Sequence, residues 1–224
     1  MNAGSASNAH PPALAGATHD STSEDAGPLS YLHEHPEIEA ADLERIRRVL
    51  PGPGRILDVG TGRGGFVLRA RSQQIEAYGL DSERSAVGLW HRHGVPGVLA
   101  DAFALPFIPE SFDIIRLKEI IEHVEDPRAL VEAARALLRA DGYIIAHVPS
   151  HYSQLYPVGN FWDNYTHVRP LSRLALRRLF EDSRMTIVSI DGYTAGRNAV
   201  ERMFGRVVAA VLPHTYRVVA RRIG

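Results

Sequence analysis

Three carboxylates each close a short apolar run in the first half of the chain. Asp58 lies in Arg55-Ile56-Leu57-Asp58-Val59, Asp81 ends Ala77-Tyr78-Gly79-Leu80-Asp81, and Asp101 follows Val98-Leu99-Ala100. Behind the first run comes Gly60-Thr61-Gly62-Arg63-Gly64-Gly65. Closely spaced glycines let a backbone turn tightly and meet a ligand with no Cβ in the way, so this stretch reads as strand, glycine turn and helix around a cofactor. Gly60, Gly62 and Gly65 also satisfy the spacing of a dinucleotide site. A carboxylate two residues before the turn would repel a pyrophosphate, however, and suits a ligand carrying positive charge. S-adenosylmethionine (SAM), with an ammonium and a sulfonium, is such a ligand.

Asp58 with Gly60, Gly62 and Gly64 resembles the first motif of class I SAM-dependent methyltransferases. Asp81, 21 residues beyond Gly60, stands where a strand-tip carboxylate accepts hydrogen bonds from ribose hydroxyls. The phrase Ala100-Asp101-Ala102-Phe103-Ala104-Leu105-Pro106-Phe107, continued by Ser111-Phe112-Asp113, is similar to the ubiquinone-biosynthesis-like (type 11) methyltransferases, as is Glu122-His123-Val124-Glu125-Asp126-Pro127. The resemblance runs over about residues 38 to 220. It implies that Asp58, Gly60, Gly62 and Gly64 hold the methionine part, Asp81 and Ser82 the ribose, and Asp101 with the Ala102 N–H the adenine, with Leu117 lining the cofactor. By itself, Asp101 also suits a turn. The chain departs from the family at Arg116, where an apolar strand residue is usual, and at Lys118, where a small one is. Both flank the expected point of methyl transfer.

The elements that must position these groups alternate. Apolar residues at helical spacing predict a helix over 37–50, stopped by Pro51-Gly52-Pro53-Gly54. Further helices are expected over 64–74, 82–93, 127–139 (with Asp141-Gly142 as the stop), 172–183 and 198–212. Strands are expected at 55–59, 77–81, 98–100, 112–117, 143–149, 186–190 and 216–221. Strands alternating with helices imply a parallel sheet. With the resemblance, the expected fold is an α/β, Rossmann-like, doubly wound seven-stranded sheet, mostly parallel with an antiparallel last strand and helices on both faces. The competing reading of the end of the chain is a basic helix over 198–224 touching a membrane or a partner.

The chain has 224 residues, 45% of them apolar, enough for one sizeable core. The absence of cysteine excludes disulfides, thiolate nucleophiles, iron–sulfur clusters and Cys-ligated zinc. Residues 1–29 lack large apolar groups and are expected to be a disordered tail before a methyltransferase domain over 30–224. Without a charged signal region or an apolar run of roughly 18 residues, a cytoplasmic protein is expected. Net charge is −1, yet residues 169–224 carry eleven arginines against four acids. Such arginines are usually solvated helix faces. No nucleic-acid partner is expected.

The acceptor side is less legible. Methyl transfer from sulfonium is an in-line displacement in which position and desolvation do most of the work, so few side chains are obligatory. A hydroxyl nucleophile is helped by a base, and His167 and His123 are the candidates. An aromatic loop over 150–171 is expected to be a lid or substrate loop, with His151, Tyr152, Trp162, Tyr165 and Lys118 as substrate contacts. His33-Glu34-His35 lacks further ligands for a zinc site, and no metal is expected. The expected activity is methylation of a small molecule, most readily at oxygen. An NAD-dependent oxidoreductase and a catalytically silent SAM-binding subunit are the alternatives.

Overall fold

The structure, a computed structural model, describes residues 36–52, 54–157, 159–194 and 211–223. The expected tail, the His33-Glu34-His35 segment and most of the helix expected over 198–212 lie outside them.

The chain runs α1 (Pro36–Val49), β1 (Arg55–Val59), α2 (Gly65–Ser72), β2 (Glu76–Asp81), α3 (Arg84–His93), β3 (Gly97–Leu99), β4 (Phe112–Lys118), α4 (Pro127–Leu137), β5 (Leu138–Pro149), α5 (Arg173–Asp182), β6 (Met185–Tyr193) and β7 (Thr215–Arg222). Seven strands form one sheet in the order β3-β2-β1-β4-β5-β7-β6. The first five are parallel to their neighbours, while β7 is antiparallel to both β5 and β6. This is the expected doubly wound sheet, and it settles residues 215–222 as a strand, against the alternative of a basic helix there. Among the described residues no helix is long and apolar enough to cross a membrane.

Local chemistry sets the boundaries. Asp126 caps α4 by accepting from the Ala129 N–H at 2.9 Å with Pro127 behind it, and Ser172 caps α5 through the Ala175 N–H at 3.1 Å. Helix α4 stops at Leu137, short of the expected Asp141-Gly142, because Leu138 already pairs with Phe112 on β4.

Period-two alternation divides the strands between two cores. Leu57, Ile115, Leu117, Ile144, Ala146 and Val218 face the side covered by α4 and α5. Ile56, Ile114, Ile145 and Val219 face α1, α2 and α3. Toward the carboxyl end of the second face, the apolar positions give way to Asp58 on β1, Arg116 on β4, His147 on β5 and Arg217 on β7. Asp58 is paired in register with Arg116, and His147 with Arg217.

Helix α1 closes over this row. Asp42, wholly buried, accepts from Arg116 Nε at 2.8 Å, and its other oxygen lies 2.9 Å from His147 Nε2. Arg116 Nη1 donates to Asp58 at 2.9 Å. Since a carboxylate only accepts, His147 carries its proton on Nε2, and its Nδ1 accepts from the Tyr193 hydroxyl at 2.9 Å. Arg45 adds an ion pair to Asp191 on β6 at 3.0 Å. Arg116, the departure from the family pattern, is a buried counter-ion joining α1 to β1, with its guanidinium carbon 4.3 Å from the Phe66 ring centroid.

Burial alone would raise the Asp42 carboxyl; His147 and Arg116 outweigh it and hold the group well below the usual carboxylate range. Burial opposes charge on Arg116, but Asp58 and Asp42 more than offset it. Burial also lowers the His147 imidazole against the pull of Asp42, so it stays neutral. A depressed acid contributes stability that is present above its unfolded value, 3.8, and lost as pH falls below it. Asp42→Asn should cost about 1.5–3 kcal/mol at neutral pH, because it weakens the charged hydrogen bond to Arg116 Nε while Arg116 keeps Asp58 as its partner. It should also flatten the acid limb of the stability curve, as urea titrations between about pH 2 and 5 would measure.

Candidate functional site

Asp58 and Asp81 lie on β1 and β2 and Asp101 just after β3, and these three strands are neighbours whose carboxyl ends face one way. The glycine turn after β1 is held on both sides. Gly60 and Thr61 N–H donate to the Leu80 carbonyl at 2.8 and 3.0 Å, the Gly62 N–H donates to Asp81 at 2.7 Å, and Trp90 Nε1 donates to the Gly62 carbonyl at 2.9 Å. The other Asp81 oxygen accepts from the Glu83 N–H at 2.9 Å. Each carboxylate oxygen has a second lone pair, so Asp81 can position this loop and still accept from a ligand hydroxyl. Ser82 follows it in an exposed bend.

Beside the turn is a cleft of about 180 Å³ lined by Asp58, Gly60, Gly62, Phe66, Lys118 and Glu119, with Glu39 reaching in from α1 and Arg63 and Arg116 from the turn and β4. Three acidic and three basic residues share its wall, a mixture suited to an amino-acid zwitterion. Lys118 pairs with Glu119 at 3.0 Å.

Several sequence expectations change here. Asp58 is buried with both oxygens committed, one to Arg116 and one to the Thr61 hydroxyl at 2.8 Å; its charge is balanced within the protein rather than left for a cationic ligand. Gly64 does not line the cleft. Its φ of 85° starts α2, and a Cβ there would lie 2.7 Å from Val95. Leu117 is packed into the core between Val59 of β1 and Ala146 of β5. Asp101 makes the turn its type allows, accepting from the Phe103 N–H at 2.9 Å on the exposed tip after β3, with Ala102 packed half-buried beside it.

The aromatic loop is ordered into two 3-10 turns, His151–Leu155 and Phe161–Asp163, and closed at its base by a bridge between Ser150 and Leu171. Phe161 is buried against the core, whereas Trp162 is 54% and Tyr165 91% exposed. His151 and Tyr152 stack on one another at 3.9 Å. The far end of the loop leans on the segment after β4: the Val168 N–H donates to the Glu122 carbonyl at 2.8 Å, and the His167 and His123 rings meet at 4.7 Å. The two candidate bases thus stand together. Burial, and then the neighbouring His167, lower the His123 imidazole.

Glu122 was not singled out from sequence as a site residue. It is wholly buried, both carboxylate oxygens lack a hydrogen-bond partner among the described residues, and burial pushes its pKa up to about 8. Asp42 and His147 were missed as well. Their signal was an ionisable residue inside an otherwise apolar strand or helix face.

Residues 31–190 match the family model described as "Methyltransferase domain". The chain belongs to that family. Among its relatives, a ubiquinone biosynthesis O-methyltransferase from Ralstonia nicotianae is 30% identical over 48% of this chain and 49% of its own length. The chain spans about half the length of the curated relatives it matches. A SAM-dependent methyltransferase from Archaeoglobus fulgidus shares the fold with a TM-score of 0.62, 22% identity and coverage of 86% of this chain and 98% of that one. The 1,6-didemethyltoxoflavin-N1-methyltransferase of Burkholderia thailandensis, solved with its substrate and S-adenosylhomocysteine, gives 0.61 at 19% identity, covering 88% and 85%.

The glycine turn offers a test of this geometry. Gly62 has φ 52° and open space where a Cβ would stand, so Gly62→Ala should cost only the left-handed strain, about 1–2 kcal/mol. Gly64→Ala adds a clash with Val95 and should be the less stable variant by chemical denaturation.

Proposed function

We propose that this methyltransferase domain transfers the methyl group of SAM to an oxygen of a small-molecule acceptor. The observation that carries the reading is the convergence of the glycine turn, the Asp81 and Asp101 tips and a cleft of balanced charge at one end of three adjacent strands. In this reading the methionyl ammonium and carboxylate lie in the cleft, between Glu39 and Glu119 on one side and Arg63 and Lys118 on the other. The ribose hydroxyls donate to Asp81, and the adenine reaches Asp101 and the Ala102 N–H.

The transfer itself asks for position. A lone pair on the acceptor oxygen attacks the methyl carbon as the carbon–sulfur bond breaks, leaving S-adenosylhomocysteine, and the hydroxyl proton passes to a base. His167 can serve, because its Nδ1 proton is engaged by the Phe161 carbonyl at 2.6 Å and Nε2 keeps its lone pair. The 150–171 loop, carrying His151, Tyr152, Trp162 and Tyr165, supplies the acceptor's surroundings. Oxygen is favoured over nitrogen by the O-methyltransferase named among the relatives. A cytoplasmic location fits a soluble cofactor.

Calorimetric titration with SAM and, separately, NAD tests the reading: binding of SAM alone is expected, and binding of NAD alone would overturn it. Asp81→Ala should weaken SAM by about 1.5–3 kcal/mol, the range for a hydrogen bond to a charged group. Labelled SAM with a panel of phenols, quinones, sugars and lipids should transfer label to one class. Tight binding with no transfer across the panel would support a silent binding subunit instead.

A further inference from the structure

We propose that Glu122, His123 and His167 form a binding site for one divalent transition-metal cation, held by the Glu122 carboxylate and one ring nitrogen from each histidine. One ligand atom from each residue lies within 4.8 Å of the others. A modest turn of the two half-buried rings would bring them to a common ion at the usual ligand distance of about 2.0–2.2 Å.

Three features point to a cation rather than to a chance cluster. First, Glu122 is wholly buried, and among the described residues neither of its oxygens has a hydrogen-bond partner. A buried carboxylate without donors is costly, and a cation supplies what the protein around it does not. Second, both imidazoles are held in the same protonation pattern. Thr166 donates its hydroxyl proton to Asn164 Oδ1 at 2.8 Å, so at His123 Nδ1, also 2.8 Å away, it accepts. The Phe161 carbonyl likewise accepts from His167 Nδ1. Each ring therefore has its N–H fixed by an oxygen and a lone pair left on the other nitrogen, the arrangement by which outer partners orient metal-ligating histidines. Third, the two histidines come from distant parts of the chain, brought together by the bond between the Val168 N–H and the Glu122 carbonyl. Trp162 and Tyr165 on the same loop, by contrast, remain exposed.

Two imidazoles and one carboxylate favour Zn²⁺, Mn²⁺ or Co²⁺ over Mg²⁺ and Ca²⁺, which prefer oxygen ligands throughout. Three protein ligands also leave coordination positions open. The site stands three residues beyond Glu119, which lines the cleft. If the methyltransferase reading holds, an acceptor hydroxyl bound at the open side would lose its proton more readily, and the histidines would serve as ligands in place of a base.

Metal binding is measurable without SAM or acceptor, so failure here and failure of the methyltransferase reading are separable. In calorimetry with the full chain, ZnCl₂ should bind at one site, and CoCl₂ should give the visible absorption of a nitrogen- and oxygen-ligated ion. Glu122→Gln, which keeps the shape of the side chain, and His167→Gln should each weaken Zn²⁺ by about 100-fold, and Thr166→Ala by about tenfold. SAM affinity should be unchanged in Glu122→Gln, showing that this variant is folded. Absence of Zn²⁺, Mn²⁺ and Co²⁺ binding to the wild-type chain would overturn the proposal, as would Zn²⁺ affinity unchanged in both ligand variants, which would place the ion elsewhere, for example at His33 and His35.

Discussion

The contact on which the architecture turns is the Arg116 guanidinium between two buried carboxylates, Asp58 on β1 and Asp42 on α1. Desolvating three charges is expensive, and their mutual attraction repays it only with good geometry and satisfied donors. Here the donors are satisfied except for one, Nη2 of Arg116. The assembly therefore adds little net stability over an apolar packing of the same shape. What it supplies is direction, because only one placement of α1 puts Asp42 between Arg116 and His147.

That arrangement also sets the electrostatics of the cleft. Arg116 balances Asp58 in its floor, while Asp42 lies behind it against His147 and away from the cleft lining. The potential a ligand meets is then governed by the groups on the walls, Glu39, Glu119, Arg63 and Lys118. The glycine turn gains rigidity by a different route, through the N–H and C=O of Gly62 being fixed by Asp81 and Trp90. An acid expected to touch a ribose thus first holds the loop that would carry the rest of the cofactor.

Much of this was legible in the chain. The alternation of apolar runs with helical spacing placed every described strand of the sheet, and the helices expected from Pro127 and Ser172 begin within a residue of α4 and α5 because helix starts are set by local chemistry. Partnership across the sheet was not legible. Arg116 looked like a departure beside the transfer point, since nothing local shows that Asp42, 74 residues earlier, lies over it. A motif specifies residue type but not which way a residue faces, so the packing of Gly64 beside Val95 and of Leu117 in the core could not be read from it. Glu122 was overlooked for a related reason: its burial depends on how the 150–171 loop folds back, and loop path has no periodicity to read. The same loop placed Phe161 in the core and left Trp162, its neighbour, in solvent.

Helix α1 has two attachments of different kind. Asp42 is anchored beneath the sheet's polar row, while Glu39, one turn earlier, forms part of the cleft wall and pairs with Arg69 of α2 at 2.9 Å. A molecule seated in the cleft therefore bears on the same helix that the buried ions hold down. Amide exchange along α1 reports on both at once, so the opening of the amino-terminal helix and the departure of whatever fills the cleft are thermodynamically linked.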